Sequence, residues 1–416
     1  MDGMIIEALH VKNVRLFTEL NIAFNPKFTF LAGPNGCGKT SVLACLAHCF
    51  STDHFDYSRF SGDAELWADI SDAGKQYRVG LGEGAIKQQN YRNSRIQQWV
   101  APPPVNGRMS INPANLKKTI KTPPLFIGSQ RNLVYKQIQG IQREKSIDET
   151  RIDYSTKSLS FLYGADQINI KQWIINRYFM IEKGWAAQEK KNWEHFISNL
   201  QRIAPFGSAF SYVRTGRDFE PVFSLYGKEC YLEELSAGYQ AVLSILINII
   251  AWVEGCMEEA NRDIQTASGT VCIDEPDIHL HPEWQLTLRQ GLVSFFPNLQ
   301  FIVTTHSPHL LASAEAGEII RMPKAYTEAC YDLVPDDKAY SGWTTDEILA
   351  DVMEVASLDN KDYERLVAAA MQAFEAKDIA ALEEAAANLE RVSHPDNTIV
   401  TVLRTKLASL ELMKND

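Results

Sequence analysis

The stretch FTFLAGPNGCGKTSVLACLAHCF, Phe28 to Phe50, decides the fold class. Its first five residues form an apolar run that reads as a buried strand, and Thr40 to Phe50 reads as a helix. Between them Gly33 to Ser41, GPNGCGKTS, fits GxxxxGK[ST], the phosphate-binding loop, in the strand-to-helix context that this loop requires. Gly36 and Gly38 allow backbone N–H groups to turn toward phosphate oxygens, and the helix N-terminus adds a partial positive charge. Lys39 then reaches the β- and γ-phosphates, and the Thr40 hydroxyl faces a magnesium ion. Asn35, Gly36, Cys37, Gly38, Lys39, Thr40 and Ser41 are therefore the candidate nucleotide contacts.

Further along the chain, Val271 to Glu275 (VCIDE) is an apolar strand ending in two acids. Downstream of a phosphate-binding loop, Asp274 is placed to hold the magnesium shell, and Glu275 to orient or deprotonate an attacking water. QFIVTTHSP is a second parallel-strand pattern, reached through a helix over Pro282 to Phe295; His306 at its end falls near the γ-phosphate. Leu235 to Gln240, LSAGYQ, opens a long apolar helix, and a Ser and a Gly at a helix N-terminus form an anion site. Toward the start, IIEALHVKNV and LNIAF read as strands, and residues 65 to 80 read as a hairpin turning at Asp72, Ala73 and Gly74. The Gln-, Asn-, Arg- and Pro-rich stretch that follows reads as a long loop, after which PPLFIGSQRN returns to strand. Ile168 to Ile203 reads as helix, with Trp173, Tyr178, Phe179, Trp185, Trp193 and Phe196 as core aromatics.

With 416 residues, 45% hydrophobic and 22% charged, the chain has the composition of a globular protein and excludes wholesale disorder. The longest apolar run, Ala241 to Val253, is interrupted by Ser244 and Asn248 and falls short of a membrane span. The opening residues lack a basic segment followed by an apolar one, so a cytoplasmic location and no membrane contact are expected. The seven cysteines have no CxxC spacing and read as reduced thiols. A net charge of −11 argues against a nucleic-acid binder, yet Ile86 to Ser146 holds eleven basic residues (Lys87, Arg92, Arg95, Arg108, Lys117, Lys118, Lys121, Arg131, Lys136, Arg143, Lys145) against the one acid Glu144. From Thr344 to Asp416 fifteen acids face seven bases. The two segments serve different partners or pair with each other. The last seventy residues read as four amphipathic helices, one with Tyr363, Leu366, Val367, Ala370, Met371 and Phe374 on a single face, and the boundary falls near Gly342.

GPNGCGKTS, LSAGYQ, VCIDEP and TTHSP in this order resemble the ABC-type ATPases over roughly residues 1 to 325; LSAGYQ departs from the common LSGGQ at Ala237 and Tyr239. The resemblance implies an α/β fold: an ATPase head with a mixed sheet around the P-loop, here residues 1–342, including a helical subdomain near 165–260 and the basic insertion near 86–146. It implies ATP and Mg2+ as ligands, with Thr40, Asp274 and Gln130 at the metal and Lys39, Glu275 and His306 at the reacting phosphate. Gln130 matches the family's Q-loop glutamine, and Arg15 and Phe17 match contacts to ribose and adenine. It further implies that two heads pair head to tail, Ser236, Ala237 and Gly238 of one closing on the γ-phosphate held by Lys39 of the other.

DEPDIHLHP, Asp274 to Pro282, resembles the AAA, OLD-like and RecF-like branches rather than transporters. GWTTDEILADVM and HPDNTIVTVLRTKLASLEL are similar to the C-terminus of the PtuA family, ATPases of Septu-type anti-phage systems, including retron-attached ones. That resemblance implies a slow, regulatory ATPase acting with a separate HNH nuclease of the PtuB type, in oligomers built from head dimers. Residues 343–416 would be the acidic helical region for docking or oligomerisation, and the basic insertion a contact for DNA or for retron RNA and its DNA product. The alternative is a RecF-like repair clamp acting directly on DNA.

Overall fold

The computed structural model describes residues 3–88, 93–116, 119–131, 133–205, 207–355, 361–394 and 398–415. They form two units, Met1–Glu354 and Val355–Asp416. In the larger unit a five-stranded parallel sheet runs in the order Ile319–Arg321, Phe28–Ala32, Leu299–Thr304, Gly269–Ile273, Leu125–Ile127. Both faces of this sheet are covered, which is why its strands read as unbroken apolar runs rather than alternating ones. On one face Phe28, Phe30, Val271, Ile273, Phe301 and Val303 pack into a core with the helix Ala237–Cys256. On the other, Leu31, Phe126, Cys272 and Ile302 meet the P-loop helix Lys39–Phe50.

A second sheet of six strands covers that helix from the far side. Its order is Tyr331–Leu333, Phe17–Ala23, Ile5–Val14, Phe60–Asp72, Lys75–Leu81, Met109–Ile111, with antiparallel pairing through the centre and a parallel pair at each edge. The expected hairpin turns at Ala73 and Gly74, whose positive φ values of 49° and 74° suit a two-residue turn. Sandwiched in this way, ten of the twelve residues of Lys39–Phe50 are buried.

Helices Ile147–Thr156, Ser158–Leu162, Ile170–Met180 and Ala187–Ile203, with the antiparallel strands Ser211–Thr215, Pro221–Leu225 and Lys228–Tyr231, complete the larger unit. The long helical pattern expected over Ile168 to Ile203 is broken around Gly184 into two helices. Trp173, Trp193 and Phe196 are buried as expected, whereas Tyr178 and Trp185 stand exposed beside or within the break. The stretch expected as one long loop contains the short paired strands Ile86–Gln88 and Ser94–Ile96 and the helix Pro113–Leu116. Ala237–Cys256 is long and apolar enough by itself to cross a bilayer, but it is a core helix, mostly buried within the protein. The seven cysteines are all free thiols.

The boundary expected at Gly342 lies further along. The helix Thr345–Asp351 belongs to the larger unit, since Ile348, Val352 and Met353 join its core. The smaller unit packs Lys361–Glu375, Ile379–Val392 and Thr398–Asn415 around Ala370, Ala373, Leu382, Ala385, Ala386, Leu389 and Leu403. Alanines at the seam let the helix backbones approach closely. Of the face expected on Lys361–Glu375, Met371 points to solvent and the others join the core.

Candidate nucleotide-binding and hydrolysis site

The carboxyl ends of the parallel strands bring the candidate residues together. Phe28–Ala32 leads into the P-loop, whose Gly38 closes it at φ 97° as the residue before the helix. No side chain caps that helix, so its first-turn N–H groups remain available to an anion. A Cβ on Gly38 would stand 3.0 Å from the Phe17 ring, in a conformation that L residues rarely adopt. Lys39 is buried, and its Nζ donates to Gly33 O at 2.8 Å and Pro34 O at 3.1 Å. Burial pushes its pKa down.

Asp274 and Glu275 follow the central strand Gly269–Ile273. Asp274 Oδ1 accepts from the Thr40 hydroxyl at 2.9 Å and from the Thr304 hydroxyl at 2.7 Å. A hydroxyl and a carboxylate, both hard oxygen donors on facing elements, fit the preferences of Mg2+. Glu275 is held at φ 46°, in the left-handed region where a non-glycine residue is strained. Its N–H donates to Thr304 Oγ1 at 2.9 Å. Burial, then the neighbouring carboxylates of Asp274 and Asp277, push its pKa up.

His306 connects the two halves. Its Nδ1 lies 3.4 Å from Lys39 Nζ, and its Nε2 lies 3.7 Å from Glu275 Oε1. The lysine ammonium can only donate, so Nδ1 accepts and the ring proton belongs on Nε2, toward Glu275. Burial, then the Lys39 charge, lower the His306 pKa and favour this neutral form.

Lys39, Thr40, Asp274, Glu275 and His306 thus form one connected cluster. Asn35, Gly36, Cys37 and Ser41 lie on the same loop and helix start. Gln130 follows the edge strand Leu125–Ile127; it is exposed, and its carbonyl accepts from the Gln167 amide. Ser236 and Ala237 are exposed at the uncapped start of Ala237–Cys256, while Gly238 is pressed so closely against the His279 carbonyl that a Cβ would stand 2.8 Å away. Among the described residues no hydrogen bond or ion pair joins these three to the Lys39 cluster.

Two expectations change. Phe17 is buried beneath the P-loop, edge-on to Tyr326, and presents no face to a base. Arg15 does approach the site, donating to Ser41 Oγ at 3.2 Å and to Ser58 Oγ at 2.8 Å. In the basic insertion, Arg131 is buried and Arg108 is paired with Glu7, leaving Lys87, Arg95, Lys121, Lys136, Arg143 and Lys145 exposed. Arg92, Lys117 and Lys118 lie outside the described residues.

Sequence reasoning missed Thr304 and Thr305, the latter donating to Asp277 at 2.8 Å, although polar residues ending an apolar strand just before His306 were a visible signal. It also missed Gln285, which accepts from the Ser307 hydroxyl at 2.6 Å and donates to Leu280 O at 2.9 Å, tying the end of one strand to the turn after the other.

The head of an SMC protein, solved bound to the C-winged helix domain of ScpA, superposes with a TM-score of 0.50 at 15% identity, covering 79% of this chain and 97% of that one. At that identity the likeness establishes the fold, an ATPase head with a mixed sheet and a helical portion. The Septu protein PtuA of Bacillus thuringiensis is 24% identical over 414 residues, 97% of this chain and 98% of that protein. A retron Vc95 probable ATPase of Vibrio cholerae serotype O1 biovar El Tor is 38% identical over 93 residues, 22% of this chain and 18% of its own length. The model of the AAA ATPase domain family matches residues 4–102 and 104–311, which include the P-loop, the carboxylate strand and His306. Since that match spans most of the chain and encloses the whole Lys39 cluster, the chain belongs to the AAA ATPase domain family.

Proposed function

We propose that this chain is the ATP-binding and hydrolysing subunit of an anti-phage defence complex, and that its ATP state controls a partner HNH nuclease. The observation that carries the ATPase part is the connected cluster Lys39–His306–Glu275 beside Thr40–Asp274. Similarity to a Septu PtuA along nearly the full length of both chains supports the defence part. Thr40 and Asp274 would hold a Mg2+ ion, with Gln130 as a further oxygen donor, and that ion when bound would supply positive charge to the phosphates. Lys39 and the P-loop amides of Asn35, Gly36, Cys37, Gly38, Thr40 and Ser41 cradle the phosphates. Glu275 takes the proton of the attacking water, a role favoured by its raised pKa, and His306 aligns it.

Ser236, Ala237 and Gly238 act on a second chain. Their exposed, uncapped helix start is an anion site without a partner of its own cluster. Two heads paired head to tail would each complete the other's site, so that ATP joins the heads and hydrolysis separates them. A catalytic site that is complete only in the dimer makes turnover slow and regulatory. The helices of the smaller unit, from Val355 onward, then dock the nuclease or extend the dimer into a higher oligomer.

Co-purification tests this. Tagged protein expressed with its native gene neighbours and held in MgATP should carry an HNH nuclease in fixed ratio by native mass spectrometry. A dimer carrying only DNA would transfer the assignment to a RecF-like clamp. The exposed Lys87, Arg95, Lys121, Lys136 and Arg143 favour that second reading. It requires DNA affinity that falls steeply with salt, by nearly one logarithmic unit per logarithmic unit of salt for each neutralised phosphate.

A further inference from the structure

Arg131 is a buried cation that donates to main-chain carbonyls. It is 5% exposed, and among the described residues it forms no ion pair within 4.0 Å. Its Nη1 donates to Gly128 O at 2.5 Å and Asp274 O at 2.8 Å, and its Nη2 donates to Glu275 O at 2.6 Å. Burying a guanidinium is costly, and three charge-assisted bonds offset that cost only while the three carbonyls stay in place. Two of those carbonyls belong to the peptides on either side of the Glu275 Cα, and the Glu275 φ of 46° is a conformation that needs support from its surroundings. Thr304 holds the same residue by its N–H. Glu275 is therefore clamped on both sides, by a hydroxyl at its nitrogen and by a guanidinium at its carbonyl.

We infer that Arg131 is a positioning residue for ATP hydrolysis: it locks the main chain of Asp274 and Glu275 to the end of the strand Leu125–Ile127, and so fixes the direction of the Glu275 side chain. This rests on the role of Glu275 proposed above. Arg131 also directly follows Gln130, whose carbonyl accepts from the Gln167 side chain in the connection just before the helix Ile170–Met180. Any displacement of that segment would reach Glu275 through one side chain. A lysine could not substitute, because a single ammonium on a flexible stem does not span three carbonyls with the fixed fork of a guanidinium.

The test compares Arg131→Lys and Arg131→Ala with wild type in ATP turnover, ATP affinity and melting temperature. Turnover should fall by about 10- to 100-fold in both while KM and ATP affinity stay within about twofold, the signature of a misplaced reacting group. Millimolar guanidinium should restore part of the turnover in Arg131→Ala and none in Arg131→Lys, where the stem fills the space. A purely structural role predicts lowered melting temperature and lost affinity without guanidinium rescue, and that result would overturn the inference, as would wild-type turnover in Arg131→Lys. If the wild-type protein itself hydrolyses no ATP, the underlying reading of Glu275 fails instead.

Discussion

His48 illustrates how the sandwich around the P-loop helix constrains single residues. It is fully buried, its Nε2 lies 2.8 Å from Ser58 Oγ, and its ring stacks on Phe55. Burial, then the nearby Arg15 charge, push its pKa down to about 3. In the native state the imidazole is neutral, while the unfolded chain takes up a proton near the ordinary value of about 6.5. The unfolded state then binds more protons between these values, so the contribution of His48 is complete above pH 6.5 and is lost as the pH falls toward 3. That loss amounts to roughly 3 to 5 kcal/mol over the whole window. His48→Gln should flatten the pH dependence of the urea midpoint in this range, and parallel profiles for variant and wild type would contradict it. The residues of the Lys39 cluster were legible because each sits in a short local pattern: glycine turn then Lys39, strand then Asp274 and Glu275, strand then His306. Arg131 was not. Its task depends on Ile127 pairing with Ile273 in the parallel sheet, which brings Gly128 and Asp274 side by side, and nothing in the local sequence distinguishes it from its exposed basic neighbours.

At the scale of elements, the helix Thr345–Asp351 decides where the larger unit ends. Its capping box, Thr344 with Glu347, was readable, and so was its amphipathic pattern. What the pattern could not reveal is which core the apolar side faces. Ile348, Val352 and Met353 are buried, and Arg321 pairs with Asp351 at 2.8 Å. Truncation after Gly342 removes those three apolar side chains and should lower unfolding stability by about 4.5 to 9 kcal/mol, at roughly 1.5 to 3 kcal/mol for each. Truncation after Glu354 keeps them and should leave the urea midpoint near that of the full chain. Equal midpoints for the two truncations would show that this helix contributes nothing to the larger unit. The helix Ile147–Thr156 escaped sequence reasoning although Ser146 and Glu149 form a capping box at its start. The basic, unpatterned stretch before it hid the signal.

At the scale of the whole molecule, two sheets enclosing the P-loop helix make the carboxyl ends of the parallel strands a rigid platform for the Lys39 cluster. The P-loop and the carboxylate strand lie far apart in sequence, yet hydrophobic runs bounded by turn residues made both readable as strands, and their place in one parallel sheet came only with the structure. The six-stranded sheet was less legible, because its edge strands Met109–Ile111 and Tyr331–Leu333 are three residues long and carry no pattern of their own. The exposed start of Ala237–Cys256 stands outside the cluster, so the proposed switch requires a second chain. The most direct test is native mass spectrometry of Glu275→Gln in MgATP, alone and combined with Ser236→Arg. Glu275→Gln should lose about 10²- to 10⁴-fold in turnover and accumulate as a dimer holding two ATP, and the added Ser236→Arg should return it to ATP-bound monomers. Hydrolysis by Glu275→Gln at the wild-type rate, or a monomer with bound ATP in the single variant, would contradict the account.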